Sequence, residues 1–268
     1  MEISASTVMQ LRNKTGLSMM ECKKALVEAG GDMEKAEDIL RKSMKGKLDA
    51  KGDKPAGEGR VAVAIGGNGA SIVELRANTD FTAKNDTFVN LTQQLADAAL
   101  KAPVGAYTPT GAEQAAIDDI RIKTGETITM PRGEHVAGGA GVVFGSYVHH
   151  DGKTGALIRA EGDVSVETLK QICMHIVAAV PSPKGVNPSD VPAAIVDKER
   201  KFRIDQAMES GKPKEIAEKM VEGGMRKFFE EVALLEQPYV IDPSKKVKDM
   251  VGKAKVTNFW RWAVGEQA

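Results

Sequence analysis

The sequence predicts an α+β protein: a small helical domain, a two-part core of antiparallel sheets covered by helices, and a projecting helical hairpin. Three observations carry that expectation. Residues 4 to 45 hold three short amphipathic segments, each opened by Ser or Asp and separated by Gly. Further along, one order occurs twice: two strand-like stretches joined by a Gly-containing turn, then a helix-like stretch. Finally, two long charged segments flank the break "GKP".

Taking the elements in order, "SASTVMQLRNKTG" offers a Ser start and a Gly stop, with Val8, Leu11 and Arg12 at helical spacing. "SMMECKKALVEAGG" places Ser18 three residues before Glu21, the spacing of a capping box. "DMEKAEDILRKSM" starts at Asp32 and carries Met33, Ala36, Ile39 and Leu40 as an apolar stripe. These give a three-helix N-terminal domain over 1–45. The Lys-, Gly- and Asp-rich stretch after it is poor in apolar residues and reads as a flexible linker over 46–59, tethering the domain to the rest.

"GRVAVAIGGNGASIVELRA" reads as strand, turn and strand, with a helix following that carries Leu91, Leu95, Ala98 and Ala99. "GAEQAAIDDIRIKTG" reads as a helix and "ETITMPRGEHVA" as a strand, completing an N-terminal core subdomain over 60–140. "GSYVHHDGKTGALIRAEGD" and the helix "SVETLKQICMHIVAAV" repeat the hairpin-then-helix order. With "VTNFWRWAVG" as a further strand they form a second core subdomain, 141–188 with 237–268. Between those pieces, 189–236 is an antiparallel αα-hairpin, with Pro213 suited to the first turn of its second helix. Its apolar positions are sparse, so it is expected to project.

Composition narrows the function classes. Lys plus Arg and Asp plus Glu stand at 37 each, which argues against binding nucleic acid by broad phosphate neutralisation. No apolar run is long enough to span a bilayer, and "MEISASTVMQ" has neither a basic leader nor an apolar signal core. Cys22 and Cys173 are far apart and form neither a metal pattern nor a disulfide framework. A cytoplasmic protein with reduced thiols is expected.

The candidate chemistry is thin. "YVHHDG" is the best metal candidate, but His149 and His150, as neighbours on a strand, are expected to point to opposite faces. Cys173 and His175 are two apart on a helix, the wrong spacing for a nucleophile and its base. "GGNG" lacks the Lys and Ser/Thr of a phosphate loop and reads as a hairpin turn. No catalytic site assembles, and no cofactor or metal is expected. Two stretches suit a partner better. In "LRNKTGLSMMECKKAL", Arg12, Met19 or Met20, and Lys23 gather near one end of a bundle too small to bury every large apolar group. In "RANTDFTAKND", Thr79 and Asp80 suit a helix start, but Phe81 behind them is either an ordinary core ring or a protruding wedge.

"LRNKTGLSMMECKKAL" and "ELRANTDFTAKND" resemble the two signature regions of bacterial elongation factor Ts, and "GSYVH", "CMHIVAA" and "SGKPKEIAEKMVEGGMRKF" follow in the family's order. The resemblance implies a ubiquitin-associated-like N-terminal domain, two related core subdomains and a protruding coiled coil. It implies that the chain is not an enzyme but a guanine-nucleotide exchange factor whose partner is the translational GTPase elongation factor Tu, with GDP and Mg²⁺ bound by the partner and no direct contact with nucleic acid or membrane. Asp80 and Phe81 would enter a cleft of the GTPase domain beside the magnesium site. Arg12, Met19, Met20 and Lys23 match the N-terminal partner surface, while Gly125 and His149 match further partner contacts. The alternative is a peptide-binding scaffold or chaperone-like protein. Three features depart from the family pattern. Ala77-Asn78 precedes "TDF"; Thr82 stands for the usual Val, and Thr124 where a larger apolar residue can occur. The chain also ends at "GEQA", without the C-terminal helical module of some members.

Overall fold

A computed structural model describes residues 3–50, 55–67, 69–209, 211 and 213–266. Helices and antiparallel strands make an α+β fold in two compact units. The first draws on Met1–Ala64, Ser71–His135 and Val264–Ala268; the second draws on Ile65–Ala70 and Val136–Ala263.

The chain opens with α1 (Ala5–Thr15), α2 (Met19–Glu28) and α3 (Met33–Ala50). Ser4 caps α1 by accepting from the Thr7 amide, and Gly16 closes it at φ 73°. Ser18 caps α2: its Oγ accepts from the Glu21 amide at 3.3 Å and donates to Glu21 Oε2 at 2.8 Å. Val8, Leu11, Leu17, Cys22, Leu26 and Leu40 fill the centre.

The third helix corrects one expectation. It runs on to Ala50, into the stretch 46–59 expected to be a linker; residues 51–54 lie outside the described residues. Gly46 costs a helix interior about 1 kcal/mol, but ion pairs hold the residues on either side. Lys45 Nζ lies 2.7 Å from Asp118 and Lys47 Nζ 3.1 Å from Glu21. Arg41 also reaches Asp119 at 2.5 Å, and Ile122 joins the three-helix core. These helices are packed onto the central part of the first unit, not merely tethered to it.

That central part is a four-stranded sheet in the order β1-β2-β4-β3. The strands are β1 (Glu58–Gly66), β2 (Gly69–Ala77), β3 (Gly105–Ala106) and β4 (Thr129–Ala137). Asn68, which falls between β1 and β2 and within the expected "GGNG" turn, lies outside the described residues. Where one helix was expected after β2 there are two, α4 (Asp80–Lys84) and α5 (Asp86–Ala99), and α6 (Gly111–Thr124) follows β3. Phe88, Leu91, Leu95 and Ala99 of α5 and Ile117 and Ile120 of α6 pack with Val73 and Leu75 of β2. Buried Glu74 is paired with Arg76 and Arg132, each Nε 2.6 Å away, and Gly265 near the chain's end donates to it. A buried carboxylate needs such partners.

The second unit holds β5 (Val142–Val148), β6 (Thr154–Glu161) and β7 (Lys255–Ala263), antiparallel and in that order. Helix α7 (Val166–Ala178) covers them with Leu169, Ile172 and Ile176. It lies so close that a Cβ on Gly145 would sit 2.4 Å from that of Leu169. Helices α8 (Ala193–Glu209) and α9 (Lys214–Val232) pack on each other through Ala207, Val221, Met225 and Phe228. Pro213 caps α9 instead of sitting in its first turn. A short α10 (Val247–Val251) precedes β7 and places Val247 and Val251 in the core.

Candidate partner-binding site

The corner after β2 is built by two caps in succession. Thr79, extended at φ −125° and ψ 153°, starts α4, and its Oγ accepts from the Thr82 amide. Asn85 ends that single turn with extended backbone and starts α5 by accepting from the Thr87 amide at 2.9 Å. In so short a helix Thr82 and Ala83 face inward and are buried, so Phe81 turns outward and is 85% exposed. Its neighbour Asp80 is bonded by Lys84 Nζ at 2.7 Å. That bond, ahead of the charge attraction, holds the Asp80 carboxyl below its ordinary range, so it is ionised at neutral pH.

The turn that ends α6 reaches the same corner. Gly125 sits at φ 68°, the left-handed conformation a helix-ending glycine supplies, and its amide donates to Arg121 O at 2.9 Å. Glu126 comes next. Its Oε2 accepts from the amides of Asn78 and Thr79, both at 3.1 Å. Its Oε1 accepts from the hydroxyls of Thr79 at 2.7 Å and Thr82 at 2.8 Å. In return, Asn78 Oδ1 accepts from the Thr127 amide at 2.7 Å. Gly125, Asp80 and Phe81 are thus brought to one place. Sequence reasoning missed Glu126 because its partners lie more than forty positions away and nothing local marks it. Two threonines at this corner also find a use: Thr82 bonds Glu126, and the Thr124 hydroxyl donates to Ile120 O within α6. Beside Phe81 lies an open hollow lined by Asn85, Phe88, Ile120, Lys123 and Thr124.

The N-terminal candidates are exposed on α1 and α2. Arg12 and Lys23 face solvent. Of the two methionines, neither belongs to the core: Met19 is 37% and Met20 77% exposed. Apolar surface left open on so small a bundle is material for an interface.

His149 belongs to the second unit. It follows β5 in the turn to β6, with its Nδ1 3.0 Å from Asp151. The expected divergence of His149 and His150 does not occur, because both lie past the strand end; their ring centres are 4.2 Å apart. Among the described residues, no group of three or more His, Cys, Asp or Glu is placed to hold a metal ion. Cys173 and His175 are both buried, and they bond elsewhere. The Cys173 thiol donates to Gly145 O, and burial pushes its pKa up, so it stays protonated. His175 Nδ1 accepts from the Val240 amide, which leaves the proton on Nε2 to donate to Gln237 Oε1 at 2.9 Å. No described helix is long and apolar enough to cross a membrane.

Comparison with known proteins bears on the whole chain. The family model described as Elongation factor TS matches residues 78–266, starting immediately before the Thr79 cap. Elongation factor Ts of Actinobacillus pleuropneumoniae serotype 3 (strain JL03) is 45% identical over 99% of this chain and 92% of its own length. That of Pasteurella multocida (strain Pm70) is 44% identical over 99% and 93%, and that of Cronobacter sakazakii (strain ATCC BAA-894) 44% over 99% and 92%. With identity sustained over 99% of the chain and a family match over residues 78–266, the chain belongs to the elongation factor Ts family.

Proposed function

We infer that the chain is a guanine-nucleotide exchange factor for elongation factor Tu, and that Asp80 and Phe81 are the groups that enter the GTPase beside its magnesium and phosphate site. Family membership supports the exchange role. The observation that carries the wedge is Phe81 itself: a large ring, 85% exposed, on a corner fixed by caps at both ends. A folded protein gains nothing from an aromatic ring held in water, whereas burial of such a ring in a partner is worth about 1.5–3 kcal/mol. Ionised Asp80 beside it brings negative charge toward a site where Mg²⁺ and phosphates balance each other.

The remaining contacts divide the work. Arg12, Met19, Met20 and Lys23 dock the N-terminal helices, a ubiquitin-associated-like bundle, on the GTPase domain. Gly125 lies against the partner next to the wedge, and His149 contributes from the second unit. The α8–α9 pair is the coiled coil of the family. GDP and Mg²⁺ belong to the partner, the chain makes no contact with nucleic acid or membrane, and the reaction takes place in the cytoplasm. No bond is made or broken. Exchange is a binding equilibrium in which wedge and nucleotide oppose each other, so the factor by which the chain weakens GDP binding equals the factor by which GDP weakens binding of the chain.

That equality is the test. A fluorescent GDP analogue is titrated into elongation factor Tu with and without the chain, and the chain is titrated with and without GDP and Mg²⁺. Equal and large ratios are expected. GDP affinity unchanged by a bound chain would refute the exchange function.

A further inference from the structure

We propose that Glu126 is a positioning residue for nucleotide exchange, the joint that holds the α4 corner in the orientation from which Phe81 enters the partner. The proposal rests on Phe81 being the inserted group. An exposed ring has no packing of its own to fix its direction, so its aim depends on the backbone beneath it. That backbone is a five-residue helix, far too short to be stable alone. The Asp80–Lys84 pair on it is exposed and adds little. The caps at Thr79 and Asn85 fix the two ends of the turn, but both are local bonds and neither ties the turn to the body of the unit.

Ala83 packs into the core from within the turn, and Glu126 supplies the polar tie that sets the turn's orientation. It gathers two amides and two hydroxyls from Asn78, Thr79 and Thr82 onto one carboxylate, at 2.7–3.1 Å. Charge-assisted bonds of this kind are stronger than neutral ones. The carboxylate is anchored in turn by the end of α6, whose inner face is buried against the first unit's core. One side chain therefore joins the wedge to α6 and orients the backbone on which Phe81 and Asp80 stand.

Side-chain chemistry sets the order of effects. Glu126→Ala leaves the donors of Asn78, Thr79 and Thr82 without their acceptor. Glu126→Asp keeps the charge but falls one methylene short. Glu126→Gln keeps the length: its carbonyl can accept from the two amides while its NH₂ donates to the two hydroxyls, which accept as readily as they donate. A positional role therefore expects rescue by Gln and none by Asp.

The experiment measures release of a fluorescent GDP analogue from elongation factor Tu across a range of concentrations of the full chain. Each variant is first checked for folding by its thermal melt. At saturating chain, Glu126→Ala and Glu126→Asp are expected to lose about tenfold or more in the maximal rate. Glu126→Gln is expected to stay within about threefold of wild type, and the half-saturating concentration to move little, since the other docking residues are untouched. In a Phe81→Ala background, Glu126→Ala should cost nothing further, because a missing ring cannot be mispositioned. If Glu126→Ala does not fold, Glu126→Asp carries the same comparison. A wild-type rate in Glu126→Ala and Glu126→Asp, a loss that adds to that of Phe81→Ala, or a Gln variant no better than Ala would each overturn the proposal. Phe81→Ala at the wild-type rate would instead show that Phe81 is not the inserted group.

Discussion

Replacing Thr82 by Val removes one of the four bonds to Glu126, and the structure gives the size of the effect. Thr82 is 8% exposed, and its hydroxyl donates to Glu126 Oε1 at 2.8 Å. Losing a hydrogen bond to a charged group costs about 1.5–3 kcal/mol. Two effects reduce this: Oε1 keeps the Thr79 hydroxyl, and the added methyl group recovers up to about 0.8 kcal/mol of apolar burial. The net expectation is a loss of about 1–2 kcal/mol, which for a unit of this size lowers Tm by about 3–8 °C. Exchange should change much less. The Thr79 cap and three of the four bonds to Glu126 remain, so the GDP-release rate at saturating chain should stay within about threefold of wild type. Calorimetric melting and stopped-flow release on the same preparations test both halves. A Thr82→Val protein that melts at or above the wild-type temperature would refute the hydroxyl–carboxylate bond. A collapse of exchange with unchanged Tm would refute the division between stability and aim.

Two further outcomes follow from the same geometry. Gly125→Ala meets no clash, since nothing lies within 4 Å of the new Cβ, but it places an L side chain at φ 68°; a loss of about 1–2 kcal/mol is expected in a chemical denaturation curve. His175 gives a pH dependence. Burial, partly opposed by the bond to Gln237, lowers its pKa from 6.5, so the unfolded chain takes up a proton before the folded one does. Its contribution is complete above about pH 6.5 and is lost as pH falls from there toward the lower folded value. The denaturation midpoint should drop over that window, and His175→Gln should flatten the drop.

Much of this architecture could be read directly from the chain because the signals were local. Ser4, Ser18 and Gly16 each act on amides or carbonyls within four positions, so the first two helices were legible residue by residue. The alternation in "VTNFWRWAV" was enough to expect a further strand in the second sheet; that it pairs with β6 comes from the structure. The misjudged features depend on distant partners. α3 persists beyond residue 45 through Asp118, Asp119 and Ile122, which no window around Gly46 contains. His149 and His150 converge because the strand ends at Val148, before either of them, so strand alternation does not apply to the pair. At the site itself, the outward turn of Phe81 could not be decided from its neighbours, since an ordinary core ring fits the same sequence. Two caps six positions apart make the difference, and Glu126, which binds that corner to α6, leaves no periodic or compositional trace.

The most direct measurement is stopped-flow release of a fluorescent GDP analogue from elongation factor Tu, driven by the wild-type chain and by Phe81→Ala. The wild-type chain should accelerate release strongly. Removal of a ring whose burial is worth about 1.5–3 kcal/mol should lower that acceleration by about ten- to a hundredfold. The thermal melt of Phe81→Ala should match wild type, because the ring is exposed in the free chain. Equal acceleration by both proteins would contradict insertion of Phe81 as the cause of nucleotide release.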